Sequence, residues 1–128
     1  MFLGAQSFES KKKCFFTTKY QIYVVNNLPP NSPVLSAHCR SKNDDLGTHT
    51  MASGQTYNFN FCENFFLTTL FTCNLRWRGK DKTFPAFNSK WIDSPCDMTG
   101  DCYWFAKEDG IYFSDQNPPK RLEKHYDW

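Results

Sequence analysis

The sequence predicts an all-β protein, an antiparallel β-sandwich of about seven to eight strands stabilised by disulfides, on three observations. Aromatic residues make up 18% of the 128 positions, with 13 Phe, 6 Tyr and 4 Trp, and the chain has few leucines and no alanine-rich stretch that would favour helix. Short apolar or alternating runs recur between turn residues at the spacing of a sandwich or barrel. Six cysteines in so short a chain indicate a disulfide framework, and with it an oxidising, extracellular compartment.

Taken in order, the expected strands are residues 19–26, 34–41, 55–62, 69–78, 83–88, 102–107 and 110–114, with 90–93 a weaker eighth. The first follows a basic opening that includes Lys11, Lys12 and Lys13, and ends at the Pro-rich turn Asn27-Leu-Pro-Pro-Asn-Ser-Pro33. In the second, Leu35, Ala37 and Cys39 share a face opposite Ser36, His38 and Arg40, before the turn Asn43-Asp-Asp-Leu-Gly47. Ser53-Gly54 introduces the third, where Tyr57, Phe59 and Phe61 lie opposite Asn58, Asn60 and Cys62. In the fourth, Phe71, Cys73, Leu75 and Trp77 point inward while Thr72, Asn74, Arg76 and Arg78 face water. Arg78-Gly-Lys-Asp81 and Glu108-Asp-Gly110 supply the later turns. Organisation then reads as a basic leader over 1–18, the sandwich over 19–115, and a tail over 116–128 that either frays or docks through Trp128.

The strand faces pair the cysteines. Cys39 and Cys73 both point to the core, and a bridge between them is worth roughly 3 to 4 kcal/mol in the chain-entropy picture. Cys96 and Cys102 flank a turn-rich segment that a local bridge would hold in shape. Cys14 and Cys62 remain: either they tie the leader across the outside of the sheet, or two exposed thiols are left. Zinc is disfavoured, because the chain has no C-x-x-C pair.

Charge and hydropathy exclude several classes. The net charge of +2, from 15 Lys+Arg against 13 Asp+Glu, is far from the surplus that phosphate-backbone binding needs, so nucleic acid is not the expected partner. No run approaches the roughly 20 apolar residues of a membrane helix. The N-terminus shows no basic n-region and no apolar h-region of a signal peptide, so we read the chain as a mature or trimmed form. No Asn-x-Ser/Thr sequon occurs, and Asn60-Phe-Cys62 is only the rare cysteine variant.

The ordered series Tyr20-Gln-Ile-Tyr-Val-Val-Asn-Asn-Leu28, Leu35-Ser-Ala-His-Cys-Arg-Ser-Lys-Asn-Asp-Asp-Leu-Gly47, Gly54-Gln-Thr-Tyr-Asn-Phe-Asn-Phe61, Leu70-Phe-Thr-Cys73, Arg76-Trp77, Cys96, Cys102-Tyr-Trp104 and Asp109-Gly-Ile-Tyr112 resembles the plant self-incompatibility S-protein homologue family. The resemblance spans about residues 20–114. It implies a small secreted β-sandwich with four shared cysteines, matching Cys39, Cys73, Cys96 and Cys102, and founding members that act as stigma-side ligands recognised by pollen. It brings no catalytic residues and no cofactor. Cys14 and Cys62 are additions to the family pattern, and Asn43 stands where that loop commonly has an acidic residue.

The expected function is therefore a secreted, monomeric recognition or signalling protein, a ligand for a plant cell-surface receptor. A secreted defence or membrane-active protein is the alternative, and a hydrolase the third reading. Loops on a rigid sandwich carry specificity, which selects Asn43, Asp44 and Asp45, the basic stretch Arg76, Arg78, Lys80 and Lys82, and the group Trp91, Asp93, Asp97 and Asp101 as candidate partner-binding residues. The acidic loop lacks the spacing and distal Glu of a calcium site, and we read it as a turn with Asx bonds and Gly47 at positive φ. A hydrolase would draw on His38, His49 and His125 with Asp44, Asp45, Glu63 or Asp101, and no motif joins them.

Overall fold

Aromatic and β-branched runs become nine strands in the computed structural model, which describes residues 14–91, 96 and 99–128. They are β1 (Lys19–Asn26), β2 (Leu35–Arg40), β3 (Asp45–Met51), β4 (Thr56–Cys62), β5 (Leu70–Trp77), β6 (Lys80–Asn88), β7 (Asp101–Lys107), β8 (Gly110–Ser114) and β9 (Glu123–Tyr126). Two sheets pack face to face, one in the order β4-β1-β7-β8-β9 and the other β3-β2-β5-β6. Every pairing is antiparallel except β1 with β7, which run parallel through Gln21–Asp101 to Asn26–Ala106. That one departure from a purely antiparallel sandwich arises because the long connection between β1 and β7 passes through the whole of the second sheet.

Alternation buries one face of each central strand. Ile22, Val24, Leu35, Leu75, Trp104 and Ile111 are completely or almost completely enclosed. Rings from the two sheets meet across the middle: Tyr20 with Phe87 at 4.5 Å, Phe61 with Phe71 at 4.5 Å and Phe84 with Trp104 at 4.9 Å. Such tilted pairs add to the area term that dominates core stability. The Trp104 indole N–H donates to the Ala86 carbonyl at 3.1 Å, so this large ring is buried without an orphaned donor.

Three disulfides are present. Cys39 and Cys73 lie directly opposite each other on β2 and β5 and bond at the centre of their sheet. Cys96 bonds Cys102 at the start of β7, and Cys14 bonds Cys62 at the end of β4.

Five differences from the sequence expectations stand out. Residues 45–51, expected to begin in a turn, form β3; its Gly and polar residues hide the alternation because an edge strand here keeps four of its seven residues exposed and only Met51 buried. The C-terminal tail contributes β9, another edge strand, and Trp128 docks by donating to the Lys107 carbonyl at 2.7 Å. Strand β6 begins at Lys80, so the preceding turn shrinks to Arg78 and Gly79. Both have positive φ, 50° and 75°, the geometry of a two-residue primed hairpin. Asn60 points away from the core as expected yet is only 7% exposed. Lys90 lies in a turn, while residues 92 and 93 of the expected eighth strand lie outside the described residues.

Candidate functional site

The outward face of the four-stranded sheet is built from cross-strand polar rows. Registers Ser36–Arg76–Asp81 and His38–Asn74–Thr83 place these side chains side by side on β2, β5 and β6. The rows are bonded internally: Arg76 Nε meets Asp81 Oδ2 at 3.1 Å, and the Asn74 amide donates to Asp81 at 2.6 Å and to Thr83 at 2.8 Å. At the end of this face the tight Arg78–Gly79 turn projects a basic tip. Arg78 lies over the Trp77 ring, 5.4 Å from its centroid, and Lys82 over Tyr126 at 5.6 Å. Among the described residues, neither Arg78 nor Lys80 holds a carboxylate partner.

Asn43, Asp44 and Asp45 occupy the opposite end of the same sheet. Residues 41–44 form the turn, with the Asp44 N–H donating to Ser41 Oγ, and Gly47 takes φ 77°. Asp45 accepts from the Gly47 N–H at 2.9 Å and from His38 Nε2 at 2.6 Å, and these bonds hold its carboxyl below the usual value, the Gly47 bond most. Its Oδ1 thus takes both bonds, one from the local backbone and one from His38. Asp101 sits elsewhere again, at the start of β7, where it accepts from the Tyr23 hydroxyl at 3.3 Å and the Asn117 amide at 2.8 Å. Burial, then the Asp101 charge, pushes the Tyr23 hydroxyl well above the ordinary phenol range. Trp91 packs edge-on against Phe87 at 5.9 Å, and Asp93 and Asp97 lie outside the described residues.

The three candidate groups are therefore not one surface. Hairpin tip and acidic turn lie at opposite ends of β5, on the order of 25 Å apart at strand rise. The histidines are equally dispersed. His38 bonds Asp45, His49 bonds the Leu46 carbonyl at 2.9 Å while stacking on Tyr57 at 4.0 Å, and His125 lies on the other sheet against Phe113 and Trp104. Among the described residues, no three His, Cys, Asp or Glu side chains form a metal-ligand group. No helix there is long and apolar enough to cross a membrane.

A sequence profile described as plant self-incompatibility protein S1 matches residues 21–128. The chain belongs to this family. S-protein homolog 29 of Arabidopsis thaliana is 34% identical over 110 residues, covering 86% of this chain and 78% of that protein. Self-incompatibility protein S1 of Papaver rhoeas is 36% identical over 110 residues, covering 85% and 77%. S-protein homolog 5 of Arabidopsis thaliana is 40% identical over a shorter 78 residues, and the match spans 59% of its length. The solved structure of SPH (Self-Incompatibility Protein Homologue) proteins, described as a widespread family of small, highly stable, secreted proteins from plants, aligns with TM-score 0.64 at 24% identity, covering 88% of this chain and 97% of that one. That likeness shows the fold.

Within this S1-family sandwich, sequence reasoning missed one feature. The β4–β5 connection and the segment around Cys14 carry the largest exposed apolar side chains: Phe15, Phe16, Phe65 and Phe66. Other residues of the β4–β5 connection, Asn64, Thr68 and Thr69, line a groove of about 990 Å³ together with Arg40, Lys42 and Asp44. The doublets Phe15-Phe16 and Phe65-Phe66 are visible in the sequence, but a run of phenylalanines in so aromatic a chain reads as core.

Proposed function

We propose that the protein is a secreted recognition protein that acts as a ligand for a plant cell-surface receptor protein, as a monomer and without a chemical step. Membership of the S1 family and the likeness to Self-incompatibility protein S1 support this reading, and three disulfides suit an extracellular setting. The observation that carries it is the basic hairpin tip: Arg78 stands on a tight turn and Lys80 opens β6 beside it, at the end of a hydrogen-bonded polar face fixed before any partner arrives. A preorganised tip loses little entropy on docking, and unneutralised cations there complement an acidic receptor patch.

Binding of the labelled protein to plant protoplasts tests the reading. Expected is saturable binding, displaced by unlabelled protein and abolished when the protoplasts are first treated with protease. Arg78→Ala with Lys80→Ala should weaken it about tenfold while leaving thermal melting unchanged. Non-saturable or protease-insensitive binding would contradict the receptor reading.

A further inference from the structure

We propose that the groove between Val34 and the β5–β6 hairpin takes an extended receptor segment in which a carboxylate stands next to an apolar side chain. The inference rests on the receptor reading above and deepens it by naming the kind of segment that the basic tip receives.

The groove has a volume of about 360 Å³, towards the lower end of the range of about 300 to 1,000 Å³ for ligand sites, and is lined by Val34, Arg76, Trp77, Arg78, Lys80 and Asp81, with Gly79 at the turn. Strand register explains how these residues meet. Ser36 on β2 lies opposite Arg76 on β5, and continuing that register sets Val34 opposite Arg78. The Arg78–Gly79 turn then returns the chain through Lys80, opposite Trp77. An apolar side chain, Val34, thus stands 55% exposed beside a cluster of cations.

This groove is rich in donors and short of acceptors. Arg76, Arg78 and Lys80 bring three positive charges against the single carboxylate of Asp81. Both Asp81 oxygens are already engaged, one by Arg76 Nε at 3.1 Å and the other by the Asn74 amide at 2.6 Å. Trp77 is 3% exposed, and its indole N–H finds no acceptor among the described residues. The nearby acids of the other sheet do not make up the deficit, since Asp109 and Asp127 both hold Lys124. A ligand that complements the groove therefore brings oxygens with negative charge.

The charge is local, which favours a peptide over a polyanionic chain. Beyond Arg76 the outward face continues through Ser36, His38, Asn74 and Thr83, and the Asn74 amide is already bonded to Asp81 and Thr83. A chain of uronic acids, with a carboxylate on every ring, would meet cations only at the tip. One carboxylate beside an aliphatic or aromatic group matches the cation cluster beside Val34, and such a group removes the valine from water.

Selection of randomised displayed peptides against the full chain tests the proposal. Enriched sequences should place Asp or Glu next to Leu, Ile, Val or Phe, and a synthetic copy of the most enriched one should bind less tightly as salt rises. Replacing its acid by the amide, or Arg78→Ala with Lys80→Ala in the protein, should weaken binding about tenfold. Val34→Ser should weaken it about three- to tenfold, with melting unchanged because the side chain stands largely in solvent, and should leave a peptide with glycine at the apolar position unaffected. Enriched peptides without an acid overturn the proposal, as does binding that ignores Val34→Ser. A galacturonic acid oligomer that displaces the peptide and is itself indifferent to Val34→Ser also overturns it, in favour of a polyanionic saccharide. If no acidic peptide is enriched while protease-sensitive protoplast binding still falls in the Arg78, Lys80 variant, the receptor reading stands and this inference fails. Acidic peptides that respond to Val34→Ser, together with protease-insensitive protoplast binding, would uphold the preference of the groove and remove the receptor reading instead.

Discussion

At the scale of single residues, polar side chains on this protein are mostly committed to one another. Asp45 illustrates how that commitment sets a proton equilibrium. Bonds from the Gly47 N–H and His38 lower its carboxyl below 3.8 in the folded state. A group lowered on folding contributes stability that is present above its unfolded value and lost as pH falls through the folded one. The stabilising effect therefore disappears only in acid, below about pH 4. An NMR titration should find the Asp45 midpoint below 3.8, and Asp45→Asn should flatten that part of the stability curve. A midpoint at or above 3.8 would mean that the two bonds are not held in solution. The acidic turn was legible in the sequence as Asx chemistry with a positive-φ glycine at Gly47. Its pairing with His38 was not, because it depends on a strand, β3, that the alternation did not reveal.

At the scale of elements, strands with one buried face were readable and edge strands were not. Strand β1 starts and ends where the sequence places it, and β5 and β7 differ by a residue at their ends, because alternation in a half-buried strand writes the core into the sequence. Glu123–Tyr126 is largely exposed and carries no such record, although it completes its sheet. Gly110 shows how closely β9 is seated. At φ 155° its backbone runs beside that strand, and a Cβ there would collide with the Tyr126 carbonyl and crowd the Lys124 side chain. Gly110→Ala should destabilise the protein by about 1 to 3 kcal/mol, with faster hydrogen exchange confined to residues 110–114 and 123–126. Unchanged melting and exchange would show that β9 does not pack as described. The basic hairpin was legible as a charge cluster, but the two-residue turn that raises it lies where a four-residue turn was expected.

At the scale of the whole molecule, the sandwich separates two surfaces of different chemistry. A basic tip stands at the Arg78–Gly79 turn and an apolar end around Phe65 and Phe66, roughly a strand's length apart. The sequence disclosed the first because charge is exposed by default, and concealed the second because phenylalanine is buried by default. Three disulfides make both surfaces parts of one rigid frame: Cys39–Cys73 locks the centre of one sheet, Cys96–Cys102 the start of β7, and Cys14–Cys62 the segment bearing Phe15 and Phe16. That a disulfide-locked scaffold presents these surfaces is the central claim. Non-reducing peptide mass spectrometry on protein from a secretory host tests it most directly. The account predicts three linked pairs, Cys14 with Cys62, Cys39 with Cys73 and Cys96 with Cys102. Six free thiols, or a different pairing, would contradict it.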